Sequence, residues 1–135
     1  MAKGKQTARK TSGAKKATGL RVKRVYEPAA ADDGCRVLVD RLWPRGLSKA
    51  KARIDWWLKD VAPSDALRHS FHGHPEKWKE FVAAYRRELG KEPAKSAAAA
   101  LFERARSEPV TLLYAARDEE HNNAVALRDR LERRR

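Results

Sequence analysis

The sequence predicts an α/β fold: a small, mostly parallel sheet flanked by helices, behind a disordered basic N-terminal arm. Three observations predict it. Short apolar runs of strand length, such as Val37-Leu38-Val39 and Val110 to Tyr114, alternate with longer segments of helical period. The chain has 135 residues and 41% apolar content, which supports one modest core and not two. Residues 1–19 carry no apolar side chain larger than alanine apart from Met1, so they cannot bury enough surface to offset their ordering entropy. The organisation is therefore an arm over residues 1–19 and a single α/β domain over residues 20–135.

The elements follow in order. Leu20 to Tyr26 sets Leu20, Val22 and Tyr26 against Arg21 and Lys23 and reads as a strand; Pro28 to Gly34 is a loop. Arg36 to Arg41 holds the β-branched run of a buried strand. Trp43-Pro44-Arg45-Gly46 is a turn, and Ser48 caps a short helix after it. Ile54 to Val61 reads as a helix that stops before Pro63, and Ser64 caps a helical turn carrying Leu67 and Phe71. Pro75 opens the next helix, with Trp78, Phe81, Val82, Tyr85 and Leu89 on one face and Gly90 at its end. Ser96 to Arg106 is an alanine-rich helix, and Val110 to Tyr114 is the most strand-like run in the chain. Asp118 is expected to cap a final helix through Leu127 and Leu131, whose basic end, Arg133-Arg134-Arg135, complements the helix dipole.

The net charge of +13 is unevenly placed. Residues 1–24 hold nine bases (Lys3, Lys5, Arg9, Lys10, Lys15, Lys16, Arg21, Lys23, Arg24) and no acid, while residues 25–135 hold 22 bases against 18 acids. This points to DNA or RNA phosphates as partners of residues 1–24. One cysteine, Cys35, excludes an intrachain disulfide and fits a reducing, cytoplasmic compartment. No apolar run approaches the roughly 20 residues of a membrane span, so no membrane partner is expected. No secretory signal is legible, and the arm overlaps organelle transit peptides in composition without their Leu and Phe positions. No cofactor is implied. His69, His72 and His74 cluster without a recognised ligand spacing, so no metal is expected. The four tryptophans are read mainly as core.

In parallel sheets ligands gather at the carboxyl ends of strands. There the sequence places Asp40, Arg41, Trp43 and Arg45 after one strand, and Arg117, Asp118, His121 and Asn122 after another. Arg41, Arg45 and Arg117, with Asn122 at a helix start, form a candidate anion site, and Trp43 offers a stacking surface. His121 is a candidate acid or base, and Asp40 a candidate to orient it or an arginine. The structural alternative is equally concrete. Asp118, Glu119 and Glu120 already satisfy the helix dipole, Arg41 and Arg45 can pair with Asp40, Asp33 or Asp55, and Trp43-Pro44 can be packing.

Two resemblances extend this reading. Asp33-Gly34-x-Arg36-Val37-Leu38-Val39-Asp40-Arg41-Leu42-Trp43-Pro44-Arg45-Gly46, Leu67-Arg68, Pro75-x-x-Trp78 and Val110-Thr111-Leu112-Leu113-Tyr114-Ala115-Ala116-x-Asp118-x-x-His121-Asn122 resemble the YeaO-like domain of unknown function 488 family. The resemblance covers residues 20–135, implies an α/β fold in a bacterial cytoplasmic protein, and brings no established activity. Ser70 departs from it, where an aromatic is expected before Phe71. Lys5-Gln6-Thr7-Ala8-Arg9-Lys10-Thr11-Ser12-Gly13-Ala14-Lys15 resembles the tail of eukaryotic histone H-three, with six consecutive matches from Lys5 to Lys10. That resemblance implies that Lys5, Lys10 and Lys15 are modification sites, with Lys10 the methyl acceptor of a lysine methyltransferase or the mark of a histone-tail reader.

Three functions follow. The first is an anion- or nucleic-acid-binding module in the bacterial cytoplasm or nucleoid. The second is a small enzyme acting on a phosphorylated or carboxylate substrate through Arg41, Arg45 and His121. The third is a histone-tail mimic, acting in a host nucleus if secreted.

Overall fold

The computed structural model describes residues 20–133; the arm of residues 1–19, with Lys5, Arg9, Lys10 and Lys15, and the last two arginines lie outside the described residues. The expected α/β class is found. Strands β1 (Leu20–Arg24), β2 (Cys35–Leu38), β3 (Trp56–Trp57) and β4 (Val110–Tyr114) form one sheet in the order β1-β4-β2-β3, with every pairing parallel. β4 lies between β1 and β2, opposite Leu20 to Arg24 on one side and Cys35 to Leu38 on the other. All five of its residues are buried, as expected of a central parallel strand, and the one polar residue among them with a hydroxyl on a short side chain, Thr111, donates to the Asp33 carbonyl at 2.7 Å.

The helices are α1 (Lys49–Ala52), α2 (Asp65–Phe71), α3 (Trp78–Leu89), α4 (Ala94–Ser107) and α5 (Asn123–Glu132). Ser48 and Ser64 cap α1 and α2 as expected, accepting from the N–H groups of Lys51 and Leu67. Pro75 begins a 3-10 turn that runs directly into α3, and Gly90 ends α3. One sheet face presents Leu20, Val37, Val39, Leu112 and Tyr114 to the apolar sides of α3, α4 and α5. Leu101 and Leu127 lie in this core with no solvent exposure. The opposite face is smaller. Val25, Leu38 and Leu113 pack there under Trp43, Leu47, Ile54 and Trp57. The tryptophans are thus half-buried against the core, none of them fully enclosed.

That second face also carries a charged cluster. Arg36 and Asp33 are both 4% exposed and meet at 2.6 Å. Arg36 donates further to the Arg53 and Ala52 carbonyls at 2.8 Å each, tying down the C-terminal end of α1. Lys23 reaches both Asp33 oxygens at 3.1 Å, and the Ala30 N–H adds a bond at 2.9 Å. Burial works to raise the Asp33 pKa, but the Ala30 N–H, Lys23 and Arg36 outweigh it and hold the carboxyl below its ordinary value. Asp33 is therefore not a partner of Arg41 or Arg45. Asp55 is not either: its carboxylate accepts from the Arg36 N–H at 2.9 Å.

Two expectations are corrected. Ile54 to Val61 is not a helix: Trp56 and Trp57 form β3 beside Val37 and Leu38, followed by a 3-10 turn over Lys59–Val61. The outer edge of β2 needs backbone partners, which Asp55 and Leu58 supply by donating to the Arg36 and Leu38 carbonyls. A strand of two residues is too short to show a period of two. Asp118 does not cap the last helix: α5 begins later, and the Asn122 side chain caps it by accepting from the Val125 N–H at 2.9 Å. The strand expected from Leu20 is found, and it carries three of the nine bases of residues 1–24. Arg21, Lys23 and Arg24 belong to β1, where Arg21 pairs with Asp32, Lys23 with Asp33, and Arg24 donates to the Ala115 and Ala116 carbonyls.

Candidate functional site

Because the strands are parallel, the segments after β1, β2 and β4 leave the sheet at one edge. Asp40 is the strut of that edge. Its carboxylate accepts from the Ala115 N–H at 2.9 Å and from the Asn123 side-chain amide at 3.1 Å, and that amide also reaches the Val39 carbonyl at 3.0 Å. Its main-chain oxygen accepts from the Trp57 indole at 2.9 Å. One side chain thus joins the ends of β2 and β4 to the start of α5. Burial pushes the Asp40 pKa up, against the pull of the Asn123 and Ala115 donors and the Arg68 charge.

Arg41 follows directly. Its Nε lies 3.8 Å from an Asp65 oxygen, and Arg68 reaches the same oxygen from one turn along α2 at 3.4 Å. The Nε atoms of Arg41 and Arg68 are both shielded from water, and neither has a hydrogen-bond acceptor among the described residues. Two guanidiniums therefore share one largely exposed carboxylate and retain donors with no acceptor. Sequence reasoning missed Arg68 as a site residue. The signal for it was the Ser64 cap, which sets the phase of α2 and brings Asp65 and Arg68 onto one side.

The other expected members lie elsewhere. Arg45 and Arg117 are exposed and have no ion pair among the described residues; the Arg45 main-chain oxygen accepts from the Tyr26 hydroxyl at 2.8 Å. Trp43 donates to the Leu47 carbonyl at 2.6 Å and meets Trp57 edge-on at 5.3 Å, so it anchors the loop before α1. Asn122 is 2% exposed, with its amide donating to the Asp118 carbonyl at 2.9 Å and its oxygen spent on the cap, so it is turned inward to hold the start of α5 rather than presented to an anion in solvent. His121 meets the Asp118 carboxylate at 3.1 Å and places its ring 5.1 Å from Trp78. The N–H of Glu120 first, and then His121, hold the Asp118 carboxyl below its ordinary value. No hydrogen bond joins His121 to Arg41, Arg45 or Asp40. The structure therefore assembles Asp40, Arg41, Asp65 and Arg68, and sets His121 with Asp118 and Trp78 as a separate group.

Cys35 is buried, burial raises its thiol pKa, and its sulfur lies 3.3 Å from Arg104. His74 pairs with Glu76 at 3.3 Å. Among the described residues no group of three His, Cys, Asp or Glu side chains is placed to hold a metal ion, and no helix is long and apolar enough to cross a membrane.

Comparison with known proteins bears on the same segments. A family model described as the inactive DUF488-N3 subclade matches residues 19–135. The chain belongs to that subclade. It is 41% identical over 110 residues to the uncharacterised protein YeaO of Escherichia coli, covering 82% of this chain and 94% of that one. It is 53% identical over 72 residues to the uncharacterised proteins Mb3100c of Mycobacterium bovis and Rv3073c of Mycobacterium tuberculosis. Those matches span 53% of this chain and 61% of each mycobacterial protein. No solved structure matches the chain. The subclade match runs through both strand-end segments and α2, so the Asp40, Arg41 and Arg68 grouping lies inside the matched region.

Proposed function

We propose that this DUF488-N3 protein is a non-catalytic anion-binding module. Arg41 and Arg68 would receive an anionic group at the strand ends, and the basic arm would add sequence-independent attraction to DNA or RNA phosphates. The observation that carries this reading is the arginine pair itself, with one exposed carboxylate between two guanidiniums and both Nε donors unsatisfied. The enzyme alternative has less support. Asp40 is spent on Ala115 and Asn123, His121 is bonded to Asp118, and the subclade is described as inactive.

The experiment is fluorescence anisotropy of the full chain with labelled single-stranded DNA at two salt concentrations. Neutralising the six bases of residues 1–19 is expected to flatten the salt dependence, each phosphate contact contributing a slope of about 0.7 for a single strand. The double variant R41Q/R68Q is expected to weaken binding about tenfold at any one salt concentration. Arg41 and Arg68 are 38% and 40% exposed, so the variants keep the fold. Wild-type affinity in both variants would overturn the reading.

The histone-like run Lys5 to Lys10 favours a second reading, in which the arm is a substrate for lysine methylation. Intact-mass analysis after incubation with a histone-type lysine methyltransferase is expected to show added methyl groups that K10R removes. An unmodified mass would exclude it.

A further inference from the structure

A cleft of about 190 Å³ runs between α3 and α5, on the helix-covered side of the sheet and outside the strand-end grouping. Two stripes line it. Trp78, Val82 and Arg86 descend α3 at intervals of four, and Arg130 and Arg133 face them from the end of α5. The cleft is thus polar in the literal sense: an indole and an aliphatic side chain at one end, three guanidiniums at the other. Trp78 and Arg86 are two turns apart, about 12 Å along the helix.

The arginines have no partners among the described residues. None of Arg86, Arg130 and Arg133 is in an ion pair, and the one carboxylate lining the cleft, Asp129, is already bonded to Arg128 at 3.2 Å. The Nε of Arg130 is shielded from water and has no acceptor. The C-terminal dipoles of α3 and α5 account for basic residues at this end. They do not supply an acceptor for a buried donor.

We infer that this cleft binds a small phosphorylated molecule with a flat ring, of the nucleoside monophosphate class: phosphate on Arg86, Arg130 and Arg133, ring against Trp78. Three guanidiniums match the charge and the several acceptor oxygens of a phosphomonoester. Trp78 already packs against Phe71, Phe81 and His121, so a ligand ring would meet the part of the indole that lines the cleft, beside Val82. A cleft of about 190 Å³ is smaller than the roughly 300–1,000 Å³ of a pocket that encloses a whole ligand, so it would hold the phosphate and one edge of the ring with the sugar in solvent, and it excludes a large cofactor.

Calorimetry of the full chain with AMP, inorganic phosphate and adenosine tests both ends of the cleft. AMP is expected to bind at least about tenfold more tightly than either half-ligand, because the two ends act together. R86Q is expected to weaken AMP binding about tenfold and R130Q by more, with unchanged thermal melting for the exposed Arg86 variant. R41Q/R68Q is expected to bind AMP normally, which separates this site from the strand-end reading. Failure of AMP to bind at millimolar concentration would overturn the inference. So would inorganic phosphate binding as tightly as AMP, or wild-type AMP affinity in both R86Q and R130Q.

Discussion

Gly34→Ala is expected to destabilise the domain by at least about 3 kcal/mol, enough to leave little folded protein at 37 °C. Gly34 sits at φ +68°, in the left-handed region that side chains rarely adopt. A Cβ there would lie 2.3 Å from the Pro109 carbonyl oxygen. That oxygen accepts the Cys35 N–H at 3.0 Å, the first bond between β2 and β4. The clash is with the backbone of the residue just before the central strand, so no side-chain rotation relieves it. Urea unfolding at unchanged m-value measures the loss. A loss below about 1 kcal/mol would mean that the turn shifts to accommodate the Cβ, with the lower unfolded-chain entropy of alanine offsetting part of the strain.

Arg36→Met is expected to cost about 3–5 kcal/mol at neutral pH, because it breaks a buried pair without replacing its charge. Asp33 would keep Lys23 and the Ala30 N–H, but the Ala52 and Arg53 carbonyls would lose their donors. The pH dependence gives a second reading of the same variant. The Asp33 pKa in the folded protein lies below its ordinary 3.8, so its ionised form stabilises the fold. That contribution is fully present above 3.8 and is lost as pH falls through the lower folded value. The deficit of the variant should therefore narrow in acid. Urea midpoints for both proteins at neutral pH and well below the carboxylate range would show it. An equal deficit at both pH values would rule out the ion pair as the source.

These two residues bear on how the candidate site is read. Asp33, Gly34, Arg36, Asp40 and Trp43 all stand in the string that resembles the family, and each is spent on holding the fold: a buried ion pair, a tight turn, a strut between strands, an anchored loop. Arg41 stands in the same string and differs from them in keeping an unsatisfied donor. The length and specificity of a motif therefore do not sort ligand contacts from internal ones. Hydrogen-bond partners do.

Within the described residues, the long elements were legible from sequence because each carries its own signal. β4 is a mainly apolar, β-branched and aromatic run bounded by Pro109, α3 repeats its apolar face from Phe81 to Leu89, and Ser48 and Ser64 are local caps. The strand-end convergence was legible too, since parallel neighbours put their carboxyl ends together by geometry alone. β3 was not: two tryptophans have no periodicity, and only the unpaired edge of β2 makes them a strand. The choice between Asp118 and Asn122 as the cap of α5 was not legible either, because both side chains accept backbone N–H groups equally well in isolation.

What the sequence determined by itself was therefore the class of fold, the order of its main elements and the separation of a basic N-terminal segment from a nearly balanced domain. Those are properties of periodicity, composition and local capping, carried within a few residues of one another. Only the tertiary structure decided which charges are neutralised. It buried Arg36 against Asp33, paired Arg21 and Lys23 of β1 with Asp32 and Asp33, and left Arg41, Arg68 and the α3–α5 arginines short of partners among the described residues. Partnership depends on residues far apart in the chain coming within a few ångströms, and no local pattern contains that distance.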